Sequence, residues 1–187
     1  APVKHERDVA LHADLFFVVL SSGVIAAKTG AARNLYNRAS ERASRITQMW
    51  NSTTGDNRAT LASIVRGGSL ARLREIVAAG DSDSLGPRLE QFVEESEHII
   101  PAATAAFSTG QFELVRQLAA RSTDGAIRLL GNQIPQTIAV TQAALSAGAI
   151  AARPFGAGFG GSGARMCGTT DTVGQGQRHH HHFCRTR

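Results

Sequence analysis

The sequence predicts an α+β fold dominated by helices, and three observations carry that reading. A short uncharged run, LFFVVL at 15–20, has the length and the β-branched and aromatic character of a strand. From 30 to 148 apolar residues recur at helical spacing, with Gly or Pro standing where helices begin and end. Beyond 148 that periodicity gives way to a second strand-like run, AIAAR at 149–153, which leads into the glycine-dense stretch PFGAGFGGS.

The first strand stops at Ser21-Ser22-Gly23 and reads as buried. Residues 30–50 have no Gly or Pro inside, and Leu35, Ala39, Ala43, Ile46 and Met49 recur along one side while Arg33, Arg38, Arg42 and Arg45 occupy the others. This is a long amphipathic helix, followed by a polar turn at 51–57. Ser69 suits the N-cap of a helix over 70–79, whose stripe is Leu70, Leu73, Ile76 and Val77 and whose end is Gly80. Pro87 and Pro101 suit the first turns of two further helices, the second closed by Gly110. Residues 111–130 carry Leu114, Leu118, Ser122, Ala126 and Leu129 on one face, and Gly131 follows. Pro135 opens the last helix, with Ile138, Leu145 and Ala149 toward the core and Gly148 near its end. The two strands read this way lack sheet partners within the chain.

Composition narrows the function classes. At 187 residues, 42% apolar and 19% charged, the chain is long enough to bury a core and reads as a soluble globular protein. One Trp, one Tyr and eight Phe are too few for a base-stacking surface. The net charge of +5 is dispersed among Arg residues that alternate with Glu and Asp, and much of the excess sits at Arg178, Arg185 and Arg187. Neutralising several phosphates requires clustering, so no nucleic-acid partner is expected. No apolar run approaches the ~20 residues of a membrane span, and the start shows no secretory pattern, so no membrane partner is expected. Cys167 and Cys184 form no disulfide framework, which fits a reducing cytoplasm.

After Ser162 the apolar periodicity vanishes, so the chain divides into a lobe over 1–162 and a polar tail over 163–187 that reads as disordered or non-native. Four adjacent histidines, His179 to His182, lie in that tail. Such tracts bind metals adventitiously and lack the fixed geometry of a structural site, so no metal site is assigned.

Glycines this dense serve a tight turn, a close packing contact or a phosphate cradle. The P-loop pattern fails, since no Lys-Ser or Lys-Thr follows. The segment Gly156-Ala157-Gly158-Phe159-Gly160-Gly161 satisfies G-x-G-x-x-G, but no amphipathic helix follows it and no acid lies about 20 residues on in a matching strand. A dinucleotide fold is excluded by that context.

The stretch AGAIAARPFGAGFGGS at 147–162 resembles the third motif of the GHMP sugar kinases, the galactokinase type in particular. Leu35-Tyr36-Asn37-Arg38 with Glu41 resembles the S-x-Y-N-x-R-R-x-E helix of the same kinases, and GNQIPQTI at 131–138 stands where they have the loop and helix before the glycine motif. The resemblance implies a helix-dominated C-terminal lobe with a small, incomplete antiparallel sheet. It implies ATP and Mg as cofactors, and a sugar as substrate, in an enzyme where positioning and electrostatics do most of the catalytic work. It places Tyr36 beside the sugar, and Gly156, Ala157, Gly158, Gly160 and Gly161 in support of the nucleotide-phosphate loop. The family's G-L-S-S-S loop, its catalytic Asp and Arg and its Mg ligands have no counterpart in this sequence, so no catalytic residue and no metal ligand is assigned. The expected function is therefore part of an ATP-dependent sugar kinase acting at a C1 hydroxyl, inactive in isolation. The alternative is a non-catalytic helical binding module that reuses the lobe. The change of texture after Ser162 fits a shifted reading frame.

Overall fold

The computed structural model describes residues 5, 8–10, 12, 15–24, 31–80, 84–154, 158, 159 and 162–168, with 31–36 and 162–168 as backbone only. The helix lacking internal Gly and Pro is α1, Ala31–Thr54. Polar residues at its end bond back to carbonyls one turn earlier. Ser52 Oγ donates to Gln48 O and Thr54 Oγ1 to Trp50 O, both at 2.8 Å. The chain then turns at Gly55, where φ is +77°. The Asn51 side chain holds that turn by bridging both backbone groups of Arg58, at 2.9 and 3.0 Å.

Three short helices pack on α1: α2 (Leu61–Gly67), α3 (Leu70–Gly80) and α4 (Leu85–Val93). Thr60 starts α2 with a reciprocal capping box to Ser63, which satisfies two otherwise unpaired N–H groups. Ile46, Ile64, Leu73 and Leu85, one from each of the four helices, are fully buried and form the main core. Each contributes about 1.5–3 kcal/mol of apolar burial. The predicted stripes on α1 and α3 thus find each other. Arg88 ties α4 to α1 in a different way. Its Nε donates to Ala39 O at 3.1 Å, its Nη1 to Gln91 Oε1 at 2.6 Å, and its guanidinium lies 5.5 Å from the centroid of the Phe92 ring. Burial, with Arg42 nearby, holds the Arg88 pKa below the usual arginine value.

Pro101 does not open a separate helix as its position predicts. α4 passes without interruption into a π-helical segment, Glu94–Ile99, and then into α5, Ile100–Ser108. The wider turn lets Ile100 N–H reach Glu95 O, so the missing proline donor arrives after the register has already shifted. A second continuous helix follows, α6 (Phe112–Gly125) with a π-helical end at Ala126–Leu130, stopped by Gly131 at φ +66°. α7, Pro135–Ser146, starts at proline as predicted. Of the expected core positions Ala149 is buried and Ile138 half-buried, but Leu145 is 42% exposed, and within the helix the buried positions are Thr137, Thr141 and Ala144. The threonines tolerate burial because their hydroxyls find backbone carbonyls, Thr141 Oγ1 donating to Thr137 O at 2.9 Å.

The sheet has three antiparallel strands in the order β1-β3-β2: β1 is Leu15–Ser21, β2 is Ala151–Pro154 and β3 is Ser162–Gly168. This corrects two expectations. The strands do have a partner within the chain, and the residues 163–168 assigned to the polar tail form its central strand. Pairing on both sides (Leu15 to Gly168, Ala151 to Met166) supplies the hydrogen bonds that the apolar pattern of this segment does not advertise. Nor is β1 buried throughout. Phe17 and Val19 are exposed on one face, and Phe16 is exposed on the other, which half-buries Val18 and Leu20. Residues 169–187, with His179 to His182 and Cys184, lie outside the described residues.

Candidate functional site

β2 and β3 are joined by the glycine stretch, so the loop that drew attention in the sequence is the turn of an antiparallel hairpin. Two of its residues are described, and both take left-handed backbone angles, Gly158 at φ +87° and Phe159 at +58°. Gly158 is buried. A Cβ added there would lie 1.9 Å from Asn132 O and 2.9 Å from Asn132 C and Cβ. Phe159 N–H donates to that same carbonyl at 2.7 Å. Glycine is therefore obligatory at 158 on two grounds, the positive φ and the backbone seated where a side chain would go.

The seat is itself fixed. Asn132 follows the left-handed stop at Gly131, and its N–H reaches back to Ala126 O at 3.3 Å. Gln133 Nε2 donates to Asn132 Oδ1 at 2.8 Å. Thr137, 1% exposed, accepts from Ile134 N–H at 3.2 Å. Its own hydrogen has Ile134 O at 2.9 Å and Gln133 Oε1 at 3.1 Å within reach. A chain of bonds thus runs from the first turn of α7 through Gln133 and Asn132 to the hairpin loop. Sequence reasoning placed residues 131–138 before the glycine motif but did not identify Asn132, Gln133 and Thr137 as its support. The available signal was Thr137, three residues after Ile134 and two after a helix-starting proline.

The Phe159 N–H is occupied by Asn132, and the side-chain direction of Gly158 is filled by it, so these two positions anchor the loop. Gly156, Ala157, Gly160 and Gly161, the other members of the predicted set, lie outside the described residues. Tyr36 lies on α1, of which the backbone is described at that point. Among the described residues no group of His, Cys, Asp or Glu could hold a metal ion. The arginines expected on a mixed-charge surface meet acids across it: Arg74 grips Glu90 with two bonds of 2.7 and 2.8 Å, and Arg66 meets Glu97 at 3.3 Å. The first pair holds the Glu90 carboxyl below its usual range and raises the Arg74 pKa.

No family model matches the chain, and no curated protein does. Solved structures do. The galactokinase of Lactococcus lactis, complexed with galactose, matches with a TM-score of 0.65 at 20% identity, over 91% of this chain and 41% of its own. The mevalonate kinase of L. major, in complex with R-mevalonate, gives 0.52 at 15% identity, over 93% of this chain and 41% of its own. The chain has the fold of the C-terminal portion of a GHMP kinase. It spans about two-fifths of the length of either neighbour. In this lobe the hairpin between β2 and β3 carries the glycine-rich stretch, and the Asn132 turn is the surface on which it rests. No helix among the described residues is long and apolar enough to cross a membrane.

Proposed function

We propose that the chain is part of an ATP-dependent sugar kinase of the galactokinase type, transferring a phosphoryl group to a sugar hydroxyl at C1. One observation carries the reading: a glycine hairpin rigidly seated on Asn132, in a lobe whose fold is similar to that of two small-molecule kinases. In the complete enzyme Gly158 anchors the loop and, with Gly156, Ala157, Gly160 and Gly161, supports the loop that holds the nucleotide phosphates. Tyr36, on α1, orients the sugar with its hydroxyl. Mg-ATP supplies the phosphoryl group, and its metal ligands and the catalytic groups come from the N-terminal lobe.

The test is a polypeptide in which an N-terminal lobe precedes these residues, incubated with Mg-ATP and galactose, N-acetylgalactosamine or arabinose. Phosphorus NMR distinguishes a phosphate at the anomeric carbon from one elsewhere on the sugar. Formation of a sugar 1-phosphate supports the proposal. Phosphate transfer to none of the sugars contradicts it.

A further inference from the structure

α1 is 24 residues long, and among the described residues the main core takes hold of it only from Ala43 onward, through Ala43, Ile46, Met49 and Trp50. Of the residues from Asn37 to Glu41, all are exposed except Ala39, which is half-buried. Tyr36 stands about two turns ahead of the core contacts on the same helix. Arg88 reaches α1 beyond the point where that packing begins. It lies on α4, 49 residues away in sequence, and is half-buried. Its own helix holds its head group: Gln91 Oε1 accepts from Nη1 at 2.6 Å, and the guanidinium lies 5.5 Å from the centroid of the Phe92 ring. A guanidinium presents its donors in a rigid fork, so fixing Nη1 also aims Nε. Nε donates to Ala39 O at 3.1 Å, one turn along α1 from Tyr36. A mid-helix carbonyl serves the N–H four residues on with one lone pair, and its second is open to such a donor.

We infer that Arg88 is a positioning residue for Tyr36. By holding the Ala39 turn of α1 against α4, it sets where the preceding turn stands, and through that turn the sugar that Tyr36 orients. The inference rests on the proposed sugar role of Tyr36.

Arg88→Met keeps an apolar stem beside Phe92 and removes both hydrogen bonds. In the full chain the amides from Arg38 to Arg42 should exchange faster, while those of α3 keep their protection. In the polypeptide that carries an N-terminal lobe before these residues, Arg88→Met should raise the sugar KM by about tenfold, the scale of one charged hydrogen bond, and leave the KM for ATP unchanged. Tyr36→Phe should raise the sugar KM as well. The double variant should be no worse than the worse single one, because Arg88 acts through the Tyr36 hydroxyl. Losses that add in the double variant overturn the inference, since Arg88 would then act apart from Tyr36. So does an unchanged sugar KM for Arg88→Met, an equal rise in both KM values, or native exchange from Arg38 to Arg42. Tyr36→Phe without effect contradicts the sugar role of Tyr36, and this inference with it. That failure shows before Arg88 is changed, so it is told apart from a failure of Arg88 alone.

Discussion

Gly148 and Gly158 have nearly the same backbone angle, φ +85° and +87°, yet their surroundings are opposite. Nothing lies within 4 Å of a Cβ built on Gly148, whereas one on Gly158 runs into the carbonyl of Asn132. Gly148→Ala therefore measures the backbone term alone, about 1–2 kcal/mol. Gly158→Ala carries that term and also dislodges the hairpin, so its Tm falls clearly further. Equal losses in the two variants would mean that the contact with Asn132 contributes nothing. Asp56 offers a second test at this scale. Trp50 Nε1–H donates to its Oδ2 at 2.9 Å and Arg58 Nε does so at 3.2 Å, and together they hold its carboxyl below the usual range. A carboxyl with a lowered folded-state pKa stabilises the fold at pH above its unfolded value and loses that contribution as pH falls through the folded one. The Tm advantage of the native chain over Asp56→Asn should be present at neutral pH and fade below the ordinary carboxylate range. The fluorescence of Trp50, the only tryptophan, should shift in the same window. An advantage that does not change with pH would contradict this account.

Among the elements, α7 shows why some faces were legible and others were not. On α3 the stripe of Leu73, Ile76 and Val77 is apolar throughout, and those residues are buried. On α7 the buried positions are Thr137, Thr141 and Ala144, so the helical period was carried by residues that periodicity reads as polar. Their hydroxyls are satisfied locally, which no apolar pattern reveals. β3 hid for a related reason. Its sequence, SGARMCG, has no alternation, and its place is fixed by hydrogen bonds to strands on both sides. The glycine loop was legible as a motif, but its docking on Asn132 was not, because the contact is between backbones. Thr137 joins α7 to that dock, and Thr137→Val keeps the shape while removing the hydroxyl. The substitution leaves Ile134 N–H without its acceptor in the cap and should cost about 1–2 kcal/mol. In hydrogen exchange the Phe159 amide should lose protection more than amides of α3 do. Uniform loss across both would reduce Thr137 to a general contributor to stability.

For the whole molecule, the helical half and the sheet half play different parts. Ile46, Ile64, Leu73 and Leu85 centre the core of the first four helices, while residues of α5, α6 and α7 pack against the sheet. The described residues hold the anchor of a glycine loop but no carboxylate cluster for a metal. Catalytic groups of a phosphoryl-transfer site act as a unit, so a lobe holding one part of it accelerates little by itself. The direct test is a coupled assay of ATP consumption by the full chain alone, with and without galactose. The account predicts no sugar-dependent consumption. Robust turnover by these residues alone would contradict it, since the chemistry would then reside in the lobe that is here assigned only its support.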